Sequence, residues 1–333
     1  MSDIVLNVEN LHVTFATDHG TVTAVQGLNF KLHKGETLCI VGESGSGKSV
    51  TCLAVMGLLP KPGGRVAGGK IEFMGEDIVK RDDRAMQGIR GNRISMIFQE
   101  PMTSLNPVMT VGEQIMEPLM THRGLKSGAA FEETVKMLKR VHISEPVQRM
   151  REYPHQLSGG MRQRVMIAMA LVCNPSLLIA DEPTTALDVT VQAQILNLMN
   201  ELKSLTGSSI IFITHDLGVI AQMAERVMVM YAGRAVENQN VGPLFKDPLH
   251  PYTRGLLESI PLFSGKQERL STIPGVVPSP LKKIDGCKFH NRCRYTFDRC
   301  RQEEPHLFDL GEGRNVRCWL HEGGRYDFAE GGK

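Results

Sequence analysis

The sequence predicts an α/β fold built around a parallel sheet. Residues 37–41, 177–180 and 210–213 are short and almost wholly apolar, which is typical of parallel strands that are covered by helices on both faces. The segment between the last two strands, residues 189–202, has helical periodicity. The first strand leads directly into a glycine-rich turn at Gly42. A strand, a glycine turn and a helix in this order are typical of phosphate-binding α/β proteins.

Further segments extend this pattern. Residues 94–98 are another apolar strand, and helical spacing runs from residue 111 to about 141. Hairpins are predicted from 71–73 with 77–79 and from 226–230 with 234–236. An antiparallel sheet is predicted at the N-terminus from four β-like runs, residues 5–8, 12–15, 21–25 and 29–32.

The chain divides into a large unit and a small extension. Residues 1–263 carry the strands and helices, with a helical part near residues 100–170. Periodicity fades after about Phe263, and prolines at 274, 278 and 280 indicate a linker into the extension, residues 264–333. The extension therefore differs in character from the rest of the chain.

Composition excludes several classes of protein. The 333 residues hold 38 Lys and Arg against 36 Asp and Glu, a net charge of +2, so there is no global basic field for nucleic acid. The longest apolar run, residues 165–173, is too short to span a membrane. The N-terminus lacks the basic and then apolar order of a signal peptide. We therefore expect a cytosolic protein whose seven cysteines are reduced thiols or metal ligands.

The strongest motif is Gly-Glu-Ser-Gly-Ser-Gly-Lys-Ser at residues 42–49, which has the spacing of a phosphate-binding loop. The glycines let backbone N–H groups turn toward phosphate oxygens. Lys48 is expected to reach the β- and γ-phosphates, and the Ser49 hydroxyl to complete part of a magnesium shell. A solvated Gly/Ser loop is the alternative. The predicted nucleotide-binding residues here are Gly42, Glu43, Ser44, Gly45, Ser46, Gly47, Lys48, Ser49 and Val50.

Two carboxylates follow the apolar strand at residues 177–180. Parallel strands of one sheet end at the same edge, so we expect Asp181 and Glu182 near the phosphate loop. Asp181 is predicted to orient Mg²⁺ through water, and Glu182 to polarise the water that attacks the γ-phosphate. Without the phosphate loop, the same pair would indicate only a strand leaving the core.

A second anion-binding helix start lies in Leu-Ser-Gly-Gly-Met-Arg-Gln-Arg at residues 157–164. Ser158 and two glycines precede a helix that is predicted from about residue 161 to 173. Two such sites in one chain indicate that two domains pair head to tail. Each domain would then cover the nucleotide of its partner, through Ser158, Gly159, Gly160 and Gln163. A simple helix N-cap is the alternative.

With these motifs the chain resembles the ATP-binding-cassette (ABC) ATPases. The Leu-Ser-Gly-Gly core and Gln163 match the signature motif of that family, and the resemblance covers about residues 4–260. It implies a RecA-like parallel sheet with an antiparallel β subdomain and a helical subdomain. It also implies ATP and Mg²⁺ as ligands, and Lys48, Glu182 and His215 as catalytic residues.

Four further residues match family positions. Gln99 matches the glutamine that touches Mg²⁺ and connects to the membrane partner, which makes Ser49, Gln99 and Asp181 the implied magnesium residues. His215 matches the switch histidine that contacts the γ-phosphate, and Asp188 in residues 186–188 matches the loop that faces across the dimer. Phe15 matches the aromatic residue that stacks on adenine, with a core role as the alternative.

The chain looks like the ATPase subunit of a transporter, because it has one cassette and no coiled-coil insertion between Lys48 and Ser158. Residues 99–107, 110–114, 250–253 and 273–278 resemble the oligopeptide/dipeptide importer ATPases. The resemblance implies two membrane permeases, a sibling or identical ATPase, a solute-binding protein and a place on the cytoplasmic face of the membrane. It implies no nucleic-acid partner.

Several alternatives to peptide uptake remain open. Related importers carry nickel, glutathione or sugars. A soluble, non-transport ABC ATPase acting on nucleic acid or ribosomes is a second class, and a metal-binding regulator that uses its cassette to dimerise is a third. Near-neutral charge disfavours the second class, and the complete set of Lys48, Asp181, Glu182 and His215 disfavours the third.

The extension holds Cys287, Cys293, Cys300 and Cys318, separated by five, six and seventeen residues. A zinc site usually uses a short C-x₂-C knuckle, which this spacing lacks. Four cysteines without such a knuckle suit a [4Fe–4S] cluster, and the tail resembles that of peptide-importer ATPases held to carry one. Zinc and unligated thiols or disulfides are the alternatives.

Overall fold

The computed structural model describes residues 3–100, 104–185, 187–259, 273–279, 281 and 284–328. Twelve β-strands occur in these ranges, two of them long and several very short. In chain order they are β1 (Ile4–Thr17), β2 (Gly20–His33), β3 (Thr37–Val41), β4 (Gly64–Phe73), β5 (Glu76–Asp77), β6 (Ile94–Ile97), β7 (Leu177–Asp181), β8 (Ser209–Ile213), β9 (Arg226–Tyr231), β10 (Arg234–Asn240), β11 (Phe308–Asp309) and β12 (Asn315–Val316).

Helices connect and cover these strands. In the described ranges they are α1 (Lys48–Met56), α2 (Asp83–Gln87), α3 (Val111–Arg123), α4 (Ser127–Arg140), α5 (Pro146–Arg149), α6 (Gly159–Leu171), α7 (Val189–Thr206), α8 (Leu217–Met223), α9 (Val241–Lys246), α10 (Pro251–Glu258) and α11 (Asp298–Gln302), with short 3₁₀ turns at Pro154–Gln156, His290–Arg292 and Trp319–His321. No helix in the described part of the chain is long and apolar enough to cross a membrane.

The predicted N-terminal antiparallel sheet is confirmed, in the order β2-β1-β4-β5. The four short runs that the sequence predicted form only two of its strands, the long β1 and β2. The polar interruptions that suggested strand ends are bulges, because the register of β1 against β2 shifts between Val8 and Leu11. Asn10 and Gly27, with φ of 46° and 59°, adopt the left-handed backbone that such a bulge requires.

The predicted parallel sheet is also confirmed. Its eight strands run in the order β11-β12-β10-β9-β3-β8-β7-β6, and β9, β3, β8, β7 and β6 are mutually parallel. Each of β3, β7 and β8 is buried along its whole length. Alternate residues of β3 face opposite cores, with Cys39 and Val41 on one face and Leu38 and Ile40 on the other. Burial on both faces explains the unbroken apolar runs in the sequence.

The helical part lies between β6 and β7, as predicted, but its first stretch is two helices. Gly124 ends α3 with a φ of 62°, and α4 begins at Ser127. The start of α3 is fixed by a capping box, in which the Thr110 hydroxyl accepts from the Glu113 N–H and the Glu113 carboxylate accepts from the Thr110 N–H.

The C-terminal extension is joined to the large unit by backbone pairing. Strand β12 lies antiparallel to β10, with Val316 opposite Glu237. Glu237 is fully buried there, and its carboxylate accepts from the N–H groups of Leu249 and His250, both at 2.8 Å. The predicted boundary at residue 263 lies outside the described residues. The extension adds two strands, β11 and β12, to the central sheet.

Two backbone segments of the extension, at Cys287 and Cys300, lie in close contact. The N–H of Cys287 donates to the carbonyl of Cys300 at 2.8 Å, next to Gly286, which has a φ of 70°. A Cβ at position 286 would lie 2.4 Å from the Cys300 carbonyl oxygen. Glycine is therefore required at this position for both its conformation and its size.

Gly286→Ala is expected to lower the free energy of unfolding by about 2–3 kcal/mol, because it adds a backbone clash to left-handed strain. Gly311→Ala is the matched control. Gly311 has a φ of 81° but open space around its Cα, so only a strain of about 1 kcal/mol is expected. Chemical denaturation of the two variants measures the difference. Equal losses of stability would contradict the role of the Cys287–Cys300 approach.

Candidate functional site

The strand order of the large sheet brings four chain segments to one edge. Strands β3, β8, β7 and β6 are consecutive neighbours and parallel. Their carboxyl ends lead into the loop at Gly42, His215, the Asp181-Glu182 pair and Gln99, respectively. These segments are far apart in sequence, but the sheet aligns them in a single row.

Glycines at residues 42 and 47 allow the loop after β3 to press against neighbouring backbone. Their φ angles are 151° and 100°. A Cβ at position 42 would lie 2.2 Å from the Met230 carbonyl oxygen, and one at position 47 would lie 2.7 Å from that of Ala24. Ser46 Oγ is buried and has no hydrogen-bond partner. A cradle of glycine backbone with an unsatisfied hydroxyl fits an oxygen-rich anion.

Lys48 is buried at the start of α1. Its Nζ donates to the carbonyls of Gly42 at 2.8 Å and Glu43 at 3.0 Å, so the ammonium lies within the loop. Burial lowers the pKa of Lys48, while Glu182, Asp181 and Glu43 act in the opposite direction. A desolvated cation inside a glycine loop is suited to bind phosphate.

Ser49 and Asp181 form the position that fits Mg²⁺. Ser49 Oγ donates to Asp181 Oδ1 at 3.1 Å, although 132 residues separate them. Asp181 is buried, and burial raises its pKa. A hydroxyl and a carboxylate side by side are hard oxygen ligands of the type that Mg²⁺ takes together with water and phosphate.

Glu182 makes contact with both flanking strand ends. Its Oε1 lies 3.3 Å from His215 Nδ1, and its Oε2 accepts from Gln99 Nε2 at 3.2 Å and from Thr185 Oγ1 at 3.0 Å. Glu182 has a φ of 47°, an uncommon backbone conformation for a side chain of this size. The carboxylate therefore lies between the residues that follow β6 and β8. Strained backbone conformations of this kind are found at functional sites.

The second helix start lies elsewhere on the surface. Ser158 caps α6, because its Oγ accepts from the Met161 N–H at 3.3 Å, and Ser158 and Gly159 are exposed. Asp188 caps α7 in the same way, through the Val191 N–H at 2.9 Å. A Cβ at Gly160 would meet Val191 at 3.1 Å, so the two helix starts are neighbours. Ala186, in the predicted loop 186–188, lies outside the described residues.

Gln163, which the sequence predicts to bind nucleotide, is buried within its own cassette. Its side chain is 1% exposed on the inner face of α6, and its Nε2 has no hydrogen-bond partner. The residue lies more than one turn into the helix, where the sequence motif continues but the side chain points into the core. Gln163 is therefore not presented beside Ser158.

Phe15 lies in β1, opposite Val22 of β2 and Gly64 of β4. Its ring is partly buried, with Cε1 2.8 Å from where a Cβ at position 64 would be. A glycine at residue 64 is thus needed for the ring to lie there. Gly64 was not identified from the sequence, because its partner on β1 is 49 positions away.

A cavity next to the phosphate loop is lined by the extension as well as the large unit. Gly45, Gly47 and Val50 lie on one side, and Pro278, Ile284 and Lys288 lie among the residues of the other. The proximity of the extension to the phosphate loop was not predicted from the sequence. No local sequence signal was available, since the segments are more than 220 positions apart.

The four cysteines of the extension are unbridged, and Cys318 interacts electrostatically with each of the other three. Cys300 and Cys318 are buried, whereas Cys287 and Cys293 are half-buried. Burial, together with the neighbouring thiols, raises the pKa of Cys287 to about 12 and that of Cys293 to about 11. Across the described ranges, no three His, Cys, Asp or Glu side chains converge so as to hold a single metal ion.

Two family models match the chain. One, described as "ABC transporter", matches residues 25–185 and includes the phosphate loop, Ser158 and Glu182. The other, described as "Oligopeptide/dipeptide transporter, C-terminal region", matches residues 236–300. The second match contains three of the four cysteines of the extension and ends before Cys318.

Close relatives match along nearly the whole chain. The oligopeptide transport ATP-binding protein OppD of Haemophilus influenzae is 54% identical over 315 residues, 95% of this chain and 97% of that protein. AppD, an oligopeptide transport ATP-binding protein of Bacillus subtilis, is 52% identical over 317 residues, with coverages of 95% and 97%. The dipeptide transport ATP-binding protein DppD of Bacillus subtilis is 51% identical over 318 residues, with coverages of 96% and 95%.

Solved structures confirm the cassette fold. A dimeric ATP-binding cassette in a post-hydrolysis state, bound to ADP and Pi, matches with a TM-score of 0.64 and 28% identity, covering 71% of this chain and 98% of that one. CbiO1 of Clostridium perfringens, part of an ABC transporter complex, matches with a TM-score of 0.63 and 28% identity, covering 74% and 92%.

Proposed function

The chain belongs to the ATP-binding proteins of oligopeptide and dipeptide ABC transporters, and on that premise we propose that it hydrolyses ATP to drive peptide uptake through separate permease subunits. The observation that carries this proposal is the row of functional groups at one sheet edge. A buried Lys48, the Ser49–Asp181 pair and the Glu182–His215 contact lie there together. This set has the parts that phosphoryl transfer from ATP to water requires.

The triphosphate binds in the loop of residues 42–50. Backbone N–H groups of the loop and the N-terminus of α1 surround phosphate oxygens, and Lys48 neutralises part of their charge. Lys48 Nζ donates to two loop carbonyls, which keeps it in position. Phe15 is the proposed support for the adenine ring, since it is partly exposed at the hairpin beside β4.

Ser49, Asp181 and Gln99 hold Mg²⁺, which supplies positive charge that lowers the energy of the transferring phosphoryl group. The support for this assignment is the 3.1 Å contact between the Ser49 hydroxyl and the Asp181 carboxylate. Gln99 belongs to the same row through its hydrogen bond to Glu182.

Glu182 polarises the attacking water, and His215 contacts the γ-phosphate end of the site. The charge of Glu182 acts on Lys48, whose pKa it raises. Contacts with Gln99, Thr185 and His215 orient the Glu182 carboxylate. Orientation by neighbouring strand ends keeps the carboxylate available at one point, where a general base acts efficiently.

Two cassettes close over the nucleotide, with Ser158, Gly159, Gly160 and Asp188 of one covering the phosphate loop of the other. The helix starts at Ser158 and Asp188 support this arrangement, because Ser158, Gly159 and Asp188 are exposed and the positive N-terminal end of α6 can meet an anion bound to another chain. The matching solved cassette is itself dimeric. A sibling ATPase is the proposed partner, with a second copy of this chain as the other outcome.

Closure of the pair moves the helical parts against two membrane permeases on the cytoplasmic face, and an extracytoplasmic solute-binding protein delivers the peptide. The relatives named as oligopeptide and dipeptide transport proteins support the choice of solute. The membrane partners carry the solute path, so specificity for peptide over nickel, glutathione or sugar is not expected from this chain.

The four cysteines of the extension hold a [4Fe–4S] cluster. The extension supplies four thiols, the ligand number of such a cluster, and a backbone hydrogen bond joins the segments that carry Cys287 and Cys300. When bound, the cluster cross-links separate segments of the extension.

Glu182→Gln is expected to lower kcat for ATP hydrolysis by about 10²–10³-fold while ATP binding persists, because the amide cannot accept a proton from water. Nucleotide binding and phosphate release on the purified protein measure the two effects. Glu133→Gln, which changes a glutamate in an exposed pair with Lys136, is the control and retains activity. Hydrolysis at the wild-type rate by Glu182→Gln would contradict its assignment as the base.

Uptake of a labelled dipeptide by cells that lack the chain tests the transport proposal. Uptake is expected to return when the cells express the wild-type protein. It is not expected to return with Glu182→Gln, because this variant does not hydrolyse the ATP that it binds. Parallel assays with labelled nickel and glutathione distinguish the alternative solutes. Restored uptake of one of these without the peptide would contradict the proposed solute, and association with ribosomes in place of permeases would contradict the transport role.

Iron analysis of the protein purified without oxygen tests the cluster. About four iron and four sulfide per chain are expected, since each of the four cysteines binds one iron. Cys293→Ala is expected to lose this iron, while Cys173→Ala, which changes an isolated buried cysteine, keeps it. A colourless wild-type protein, or one that holds zinc without iron, would contradict the proposal.

A further inference from the structure

Arg292 lies in residues 287–293, between Cys287 and Cys293, a segment that we call the cysteine loop. Its side chain is 7% exposed and connects the cysteine loop to the phosphate loop. Nη1 lies 2.9 Å from one carboxylate oxygen of Glu43, and Nη2 lies 3.2 Å from the other. The pair is therefore bidentate, with the arginine nearly buried and the glutamate 27% exposed, although the two residues are 249 positions apart. Such pairs are the strong class of charged hydrogen bond.

The rest of the guanidinium is also held. Nε donates to the Pro274 carbonyl at 3.0 Å, and Nη1 lies 3.4 Å from the Tyr231 hydroxyl. The group lies 5.8 Å from the centre of the Tyr231 ring and 6.0 Å from that of Phe289. These contacts come from β9 and from two parts of the extension, one at Pro274 and one at Phe289. Lysine could not reproduce them, because it lacks the planar fork.

Glu43 is the second residue of the phosphate loop, and its N–H, its carbonyl and its carboxylate all make hydrogen bonds. Its N–H donates to the Tyr252 hydroxyl at 2.9 Å, its carbonyl accepts from Lys48, and its carboxylate pairs with Arg292. The carboxylate charge reaches Lys48, where it helps to raise the pKa of the ammonium against the effect of burial. Unpaired, the same charge would repel a triphosphate in the loop.

We propose that Arg292 is a positioning residue for nucleotide binding, supplied to the phosphate loop by the cysteine-bearing extension. It neutralises Glu43 and fixes the side of the loop that faces the extension. The inference rests on the proposed binding of ATP to this loop. By thermodynamic linkage, whatever orders the cysteine loop also favours ATP binding, and bound ATP stabilises the cysteine loop in return.

Binding of a fluorescent N-methylanthraniloyl ATP to the full chain tests the proposal. Arg292→Gln is expected to raise Kd about tenfold, because Glu43 is left charged beside the phosphates. Glu43→Gln is expected to lower Kd about twofold, and the double variant to return Kd to within about twofold of wild type. At saturating ATP, kcat of Arg292→Gln stays near that of wild type, so the change appears in KM.

Arg294→Gln is the matched control. Arg294 is two residues away in the same loop, but it is 58% exposed and pairs with Glu258, so its loss leaves Kd unchanged. If Arg292→Gln does not accumulate, Arg292→Lys carries the comparison, with a rise in Kd of about threefold from loss of the fork.

Two results would overturn the inference. One is wild-type affinity in Arg292→Gln. The other is a double variant as weak as Arg292→Gln, because that result would mean that Arg292 does not act through the charge of Glu43. Failure of the wild-type chain to bind the nucleotide would instead contradict the proposed function, and the inference with it.

Discussion

The order of parallel strands is the constraint on which the site depends. With β8 between β3 and β7, and β6 beyond β7, the carboxyl ends of four strands lie side by side. Each strand is short and buried on both faces, so its position is fixed by packing from the two cores. The polar groups that follow the strands have little freedom to be elsewhere. The topology of the sheet therefore makes neighbours of the phosphate loop, the two carboxylates, the histidine and the glutamine.

Charge at this edge is concentrated and only partly compensated. Lys48 is buried among Glu43, Asp181 and Glu182, and burial raises the pKa of Asp181. A site of this kind favours added cations, which is consistent with a substrate that arrives with a magnesium ion. Glu43 is the exception, because Arg292 from the extension already neutralises it. The extension thus contributes to the electrostatics of a site whose main residues, from Gly42 to His215, lie 77 to 250 positions before Arg292.

The parts of the molecule that were predictable are those encoded by local pattern. Buried parallel strands require apolar runs, and a loop that touches the Met230 backbone requires glycine at residue 42, so both were visible in the sequence. The burial of Gln163 could not be predicted from local pattern, since a motif does not reveal which face of a helix is buried. The pairing of β12 with β10 and the Arg292–Glu43 contact depend on tertiary approach, for which two-residue strands and a single arginine leave no pattern.

The proposed mechanism requires that two cassettes share each nucleotide, between the phosphate loop of one and the Ser158 helix start of the other. A cryo-EM map of the assembled transporter, made with Glu182→Gln and saturated with ATP and Mg²⁺, tests it most directly. The map is expected to have the triphosphate in the loop of residues 42–49, with Ser158 of the facing cassette or its sibling's equivalent at hydrogen-bond distance from the γ-phosphate. A triphosphate bound in that loop with no helix start from a second cassette against it would contradict the claim.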